Sequence, residues 1–165
     1  MLSLTRILVD GLLLSLGLSV IIFVSLYANP RLWLQDFPKE IRAKLPPNTP
    51  QEKRIQRLMM IPFLALIVGV MYFSVMQLKV ENGGSISFFT AFANAFLVMN
   101  VFNLFDAVII DYLILTVMKP KFAIPRGAEG MEHLMTDGRT QVNNYFKGII
   151  FCLVFSLPVA AIAAL

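Results

Sequence analysis

Four polar side chains stand in the most apolar part of this sequence: Asn100, Asn103, Asp106 and Asp111, within NVFNLFDAVIID. On a helix turning about 100° per residue they fall within an arc of roughly 140°, and Asn94 lies well off it. Two carboxylates and two carboxamides on one side of an apolar helix have three chemical uses. They can hydrogen-bond neighbouring helices, hold a proton or small cation, or bind a hard divalent metal. They cannot face lipid cheaply, because an acidic side chain at mid-bilayer costs about 2.5–3.5 kcal/mol on insertion scales.

Each use names further residues. If the stripe is internal glue, its carboxylates need basic partners, and Arg57 and Lys147 are closest in depth. If it carries a proton or cation, Asn100, Asn103 and Asp106 are the ligands, and an oligomer is needed because four helices are few for a transporter. A metal-dependent reaction on a lipid headgroup would draw on a second oxygen-rich group, Glu129, Glu132, His133 and Asp137, suited to Mg²⁺ or Mn²⁺. The spacing there matches no metal motif. There is no His-Glu-x-x-His, no paired Cys, no nucleophile elbow and no phosphate-binding Gly-rich loop. The expectation is therefore no metal and no cofactor, and an enzyme is the least supported of the three readings.

The elements that must position these residues are membrane helices. Hydrophobic residues make up 58% of the chain, and the charges cluster between four nearly uncharged runs, Ile7–Tyr27, Leu58–Leu78, Ile86–Val117 and Gly148–Leu165. Each is about long enough to cross ~30 Å of hydrocarbon. The chain is predicted to be all-α: one polytopic membrane domain, 1–165, of four antiparallel transmembrane helices at about 7–27, 50–78, 86–118 and 141–165. Asp10 and the length of the first run argue for a retained helix over a cleaved signal peptide. The single Cys152 can form no internal disulfide.

Basic residues predict the orientation. Of 14 Lys and Arg, seven lie between the first two helices (Arg31, Lys39, Arg42, Lys44, Lys53, Arg54, Arg57) and five between the last two (Lys119, Lys121, Arg126, Arg139, Lys147). The positive-inside rule puts loops 28–49 and 119–140 in the cytoplasm and both termini outside the cell membrane. The net charge of +4 then reads as orientation and attraction to anionic lipid at the cytoplasmic face, with no nucleic-acid partner.

Local signals refine the picture. Gly11, Ser15 and Ser19 on the first helix and Ser156, Ala160 and Ala164 on the last are small-residue ladders at matching depth, predicting that these two helices pack together. Arg6 and Asp10, one turn apart, are expected to pair. Pro38 opens a short interfacial helix through Lys44, with Ile41 and Leu45 on one side. Thr49-Pro50-Gln51-Glu52 is a capping box that starts the second helix before its apolar run. Pro62 should kink that helix, and Asn82-Gly83-Gly84 is a tight turn into the third. The third helix, at roughly 48 Å, is longer than the hydrocarbon and must tilt or project.

Together NPRLWLQDFP, FNLFDAVIID and IPRGAEGM resemble a small, uncharacterised bacterial family of four-helix integral membrane proteins. The resemblance implies the four-helix architecture and transfers no activity and no site. The family prefers Pro-Gly-Thr-Glu-Gly where this chain has Pro125-Arg126-Gly127-Ala128-Glu129-Gly130. The leading expectation is a structural or accessory membrane protein that assembles with itself or with a partner membrane protein.

Overall fold

A computed structural model describes the backbone of residues 2–136 and 138–164, with the side chains of 2–134 and 141–164. Its α-helices are α1 (Leu4–Ala28), α2 (Lys39–Lys44), α3 (Pro50–Glu81), α4 (Phe88–Phe105) and α5 (Gly138–Ala164), and among the described residues there is no strand. A π-helix, Asp106–Met118, prolongs α4. Four helical stretches are long and apolar enough to cross a membrane: Leu4–Ala28, Pro50–Glu81, Phe88–Met118 and Gln141–Ala164.

Their ends follow from capping chemistry. The Thr49 hydroxyl accepts from the Glu52 N–H (3.2 Å) while the Glu52 carboxylate accepts from the Thr49 N–H (2.7 Å), the reciprocal box expected at the head of α3. Ser87 caps α4 by accepting from the Thr90 N–H at 3.2 Å. Between α3 and α4, Gly83 and Gly84 have φ of 81° and 87°, a left-handed conformation that lets the hairpin close. Pro62 stands inside α3, which runs on without interruption. The third span is not one α-helix as expected. Its winding changes to π at Asp106.

The order of the helices puts the start of α1, the end of α5 and the Asn82–Gly84 turn at one end of the bundle and both long loops at the other. At the terminal end Arg6 forms an ion pair with Glu81, and Lys79 Nζ donates to the Ala163 carbonyl at 2.9 Å. Arg6 therefore binds across to α3 and not to Asp10, as local spacing suggested. Asp10 is buried, with Oδ2 unpartnered among the described residues.

The packing also departs from expectation. Helix α4 packs on α1, α3 and α5, and α3 packs on α1 and α5, so α1 and α5 occupy opposite corners with no comparable interface. The two small-residue ladders share a depth but not a side. The bare Cα of Gly11 lies under Val101 and the Val98 carbonyl of α4, and that of Gly17 lies under Leu66 of α3. Leu14, Leu18, Met71, Val75, Ala91, Ala95, Val98 and Ala160 are fully enclosed between the four long helices.

A second, smaller core caps the long-loop end. Ile41 of α2 and Leu45 just after it pack with Leu34 and Phe37 against Ala128 and Met131 of the other loop. The apolar side of α2 is thus covered by protein. Substitution should separate tight helix contacts from open ones. A methyl at Gly11 meets Val101, whereas Gly69 has nothing within 4 Å. Gly11→Ala is expected to destabilise by about 1–3 kcal/mol. Gly69→Ala should be neutral or gain up to ~1 kcal/mol of helix propensity. Thermal melts in detergent check both, and equal melting temperatures would contradict this packing.

Candidate functional site

The polar groups at membrane depth divide into two sets. The first joins helices. Asn94, off the predicted stripe, is 1% exposed, and its Nδ2 donates to Ser74 Oγ across the α3–α4 hairpin at 2.9 Å. A sequence signal existed for this pair, because Ser74 and Asn94 lie at nearly equal distances from Gly83 along the two arms. Asn103 is buried and donates from Nδ2 to the Tyr145 carbonyl of α5 at 3.2 Å. Gly148 makes room for it, since a Cβ there would collide with the Asn103 carboxamide. Ser15, Ser19 and Ser156 return their hydroxyls to the carbonyls of Gly11, Ser15 and Cys152. Asn100 is half-buried and has no hydrogen bond among the described residues.

The second set is built by the π-helix. Its hydrogen bonds run five residues back, as the Lys119 N–H to the Ile114 carbonyl does at 2.9 Å. Thr116 Oγ1 follows the same step to the Asp111 carbonyl at 2.8 Å and accepts from Gln141 Nε2 of α5 at 3.2 Å. An α-helix would set Asp106 and Asp111 roughly 140° apart. In π winding they are one turn apart on the same side. Both are half-buried. Asp36, from the loop after α1, adds a third carboxylate whose charge acts on both. Lys119 ends the segment in a left-handed conformation (φ 46°), and Pro120 prevents its continuation.

Neither Arg57 nor Lys147 forms an ion pair with Asp106 or Asp111. The ion pairs among the described residues are Arg6–Glu81 and Arg31–Glu52. Arg57 lies on α3 with its Nε near the Lys53 carbonyl (3.4 Å), and the charge of Lys147 acts on Asp36. Asp36 is exposed to solvent, although neighbouring groups crowd around its carboxyl. Desolvation raises its pKa from the ordinary carboxylate value, and the Gln35 hydrogen bond and the charges of Arg42 and Lys147 offset this only in part. Sequence spacing could not relate Asp36 to Asp106, because only the folded loop brings them together.

Two members of the second oxygen-rich group are engaged by their own turns. Glu129 accepts from the Gly127 N–H at 2.7 Å and Glu132 from the Gly130 N–H at 3.1 Å. Backbone N–H groups hold the Glu132 carboxyl below its ordinary value. Asp137 lies outside the described residues. Among those described, no three His, Cys, Asp or Glu side chains gather as metal ligands. No family model, curated protein or solved structure matches the chain.

Two measurements test this geometry. Gly148→Ala should destabilise the bundle, and Asn103→Ala should remove part of that loss, giving a favourable coupling of about 0.5–3 kcal/mol in a double-mutant cycle. Additive losses would mean that residues 103 and 148 do not meet. Asp36 supplies a pH dependence. Its folded form binds a proton more tightly than its unfolded form, so its contribution is full in acid. That contribution falls as pH rises through the window between the ordinary and the raised value. Asp36→Asn should flatten this slope in detergent melts, and an unchanged slope would assign it elsewhere.

Proposed function

We propose that this chain is a structural or accessory integral membrane protein, a four-span bundle that assembles with itself or with a partner membrane protein. The observation that carries the reading is the use of membrane-depth amides as interhelical bonds, Asn94 to Ser74 and Asn103 to the Tyr145 carbonyl. Such bonds specify register more than they stabilise, contributing about 0.6–2 kcal/mol each. The long-loop end, with its own small core, faces the cytoplasm of the cell, where its basic residues meet anionic lipid, and both termini lie outside.

A second reading, a proton- or cation-linked channel subunit, draws on Asp36, Asp106 and Asp111. Two carboxylates on a π-wound segment with a third from the loop after α1 add nothing evident to a bundle's stability, and π winding recurs at functional positions. Liposomes containing the purified chain separate the two readings. On the accessory reading they hold proton and cation gradients as well as empty liposomes do. A leak that disappears in Asp106→Asn, with helicity unchanged, replaces it with the conducting reading. Orientation is tested separately, by labelling cysteine variants in intact cells. Cysteines at Ser3 and Gly83 should react from outside intact cells, and those at Lys39 and Arg126 only after permeabilisation. Native Cys152 is buried and adds little background. The opposite labelling pattern reverses the orientation.

A further inference from the structure

The loop after α1 is tied unusually firmly to the head of α3. Arg31 Nε donates to Glu52 Oε1 at 2.7 Å, and the same oxygen accepts from Asn29 Nδ2 at 3.2 Å. Gln56 Nε2 donates to the Leu32 carbonyl at 2.6 Å, and Asn48 Nδ2 to the Arg31 carbonyl at 3.1 Å. The Trp33 indole N–H is held by Ser25 Oγ at 2.8 Å, and its ring packs edge-on to Phe63. These bonds fix an open cleft of about 380 Å³ between loop and helix, bordered by Trp33, Gln35, Lys53, Gln56, Arg57 and Met60.

The charge in this cleft is unbalanced. Lys53 and Arg57 are four residues apart and therefore on one side of α3, both exposed. The single carboxylate of this part of α3, Glu52, is already engaged by Arg31. No described carboxylate forms an ion pair with Lys53 or Arg57. Below the two cations the wall turns apolar at Met60, where the hydrophobic run of α3 begins. Cations above, an amide on either side and an apolar floor match a phosphate attached to an acyl chain. A free anion would leave the floor uncovered.

We propose that this cleft seats the phosphodiester headgroup of an anionic phospholipid. Lys53 and Arg57 bind the phosphate oxygens, Gln35 and the headgroup lie at the rim, and the first acyl carbons run past Trp33 and Met60. The inference rests on the general attraction of the basic loops to anionic lipid and narrows it to one site.

Trp33 is the only tryptophan in the chain, so its fluorescence reports on the cleft alone. The protein is reconstituted in phosphatidylcholine vesicles containing a minor fraction of phosphatidylglycerol, with one of the two lipids brominated near the headgroup end of its acyl chain. At equal bromolipid fraction, brominated phosphatidylglycerol should quench Trp33 more strongly. Lys53→Gln and Arg57→Gln should each lower that enrichment by about fivefold, the worth of one cation near an anionic surface. Arg54→Gln removes an equal charge from the same helix outside the cleft and should leave the enrichment in place. If Arg54→Gln costs as much as Arg57→Gln, only general surface attraction operates and the site is overturned while that attraction stands. If both bromolipids quench wild-type protein equally, site and attraction fail together, whatever the variants do. Reversal of the enrichment by excess inorganic phosphate, at ionic strength matched with chloride, would assign the cleft to a free anion and overturn the lipid.

Discussion

Within hydrocarbon a polar side chain has only protein to bond, and that constraint governs where this bundle keeps its few polar groups. Asn94 and Asn103 each project from α4 toward a different neighbour, one to a serine hydroxyl on α3 and one to a backbone carbonyl on α5. Because α4 touches every other long helix, these two bonds set its register against both. Close approach is the second half of the arrangement. Gly11 and Gly148 remove side chains where α4 meets α1 and α5, and the van der Waals contact so gained is what holds membrane helices together without a hydrophobic drive.

The same constraint makes the segment after Phe105 unusual. A π-helix keeps every backbone group bonded, as hydrocarbon demands, but shifts each bond by one residue. That shift turns Asp106 and Asp111 onto one side, toward Asp36, and carries Thr116 to its contacts with the Asp111 carbonyl and Gln141. Like charges brought together by backbone winding oppose folding whenever they are ionised together, so this region is held by the packing around it, where Ile110 is 1% exposed.

At the long-loop end a different economy applies. Glu52 serves the cap of α3, the ion pair with Arg31 and the amide of Asn29 at once, and so ties the end of α1 to the start of α3. Around that tie, α2 finds an apolar partner in Ala128 and Met131 of the other loop. The loops are thereby a small folded cap with a positively charged cleft, instead of solvated connections.

The sequence by itself determined what depends on neighbours along the chain. Hydropathy over four long runs specified the four spans. Thr49, Pro50 and Glu52 specified the head of α3, and Gly83 and Gly84 the hairpin, since capping and left-handed turns are settled within a few residues. What depends on lateral position was not legible there. Matching depth suggested that α1 packs on α5, but depth leaves the corner of the square undetermined, and α3 and α4 stand between them. Arg6 lies one turn from Asp10 yet binds Glu81 across the bundle. The predicted polar stripe assumed one unbroken α-helix. Asn103, still in α winding, reaches α5, while the change to π winding from Asp106 turns Asp106 and Asp111 onto one side, toward Asp36. Asp36 entered only through partners distant in sequence, which tertiary packing chooses, whereas counting along the two arms from Gly83 could have matched Asn94 with Ser74.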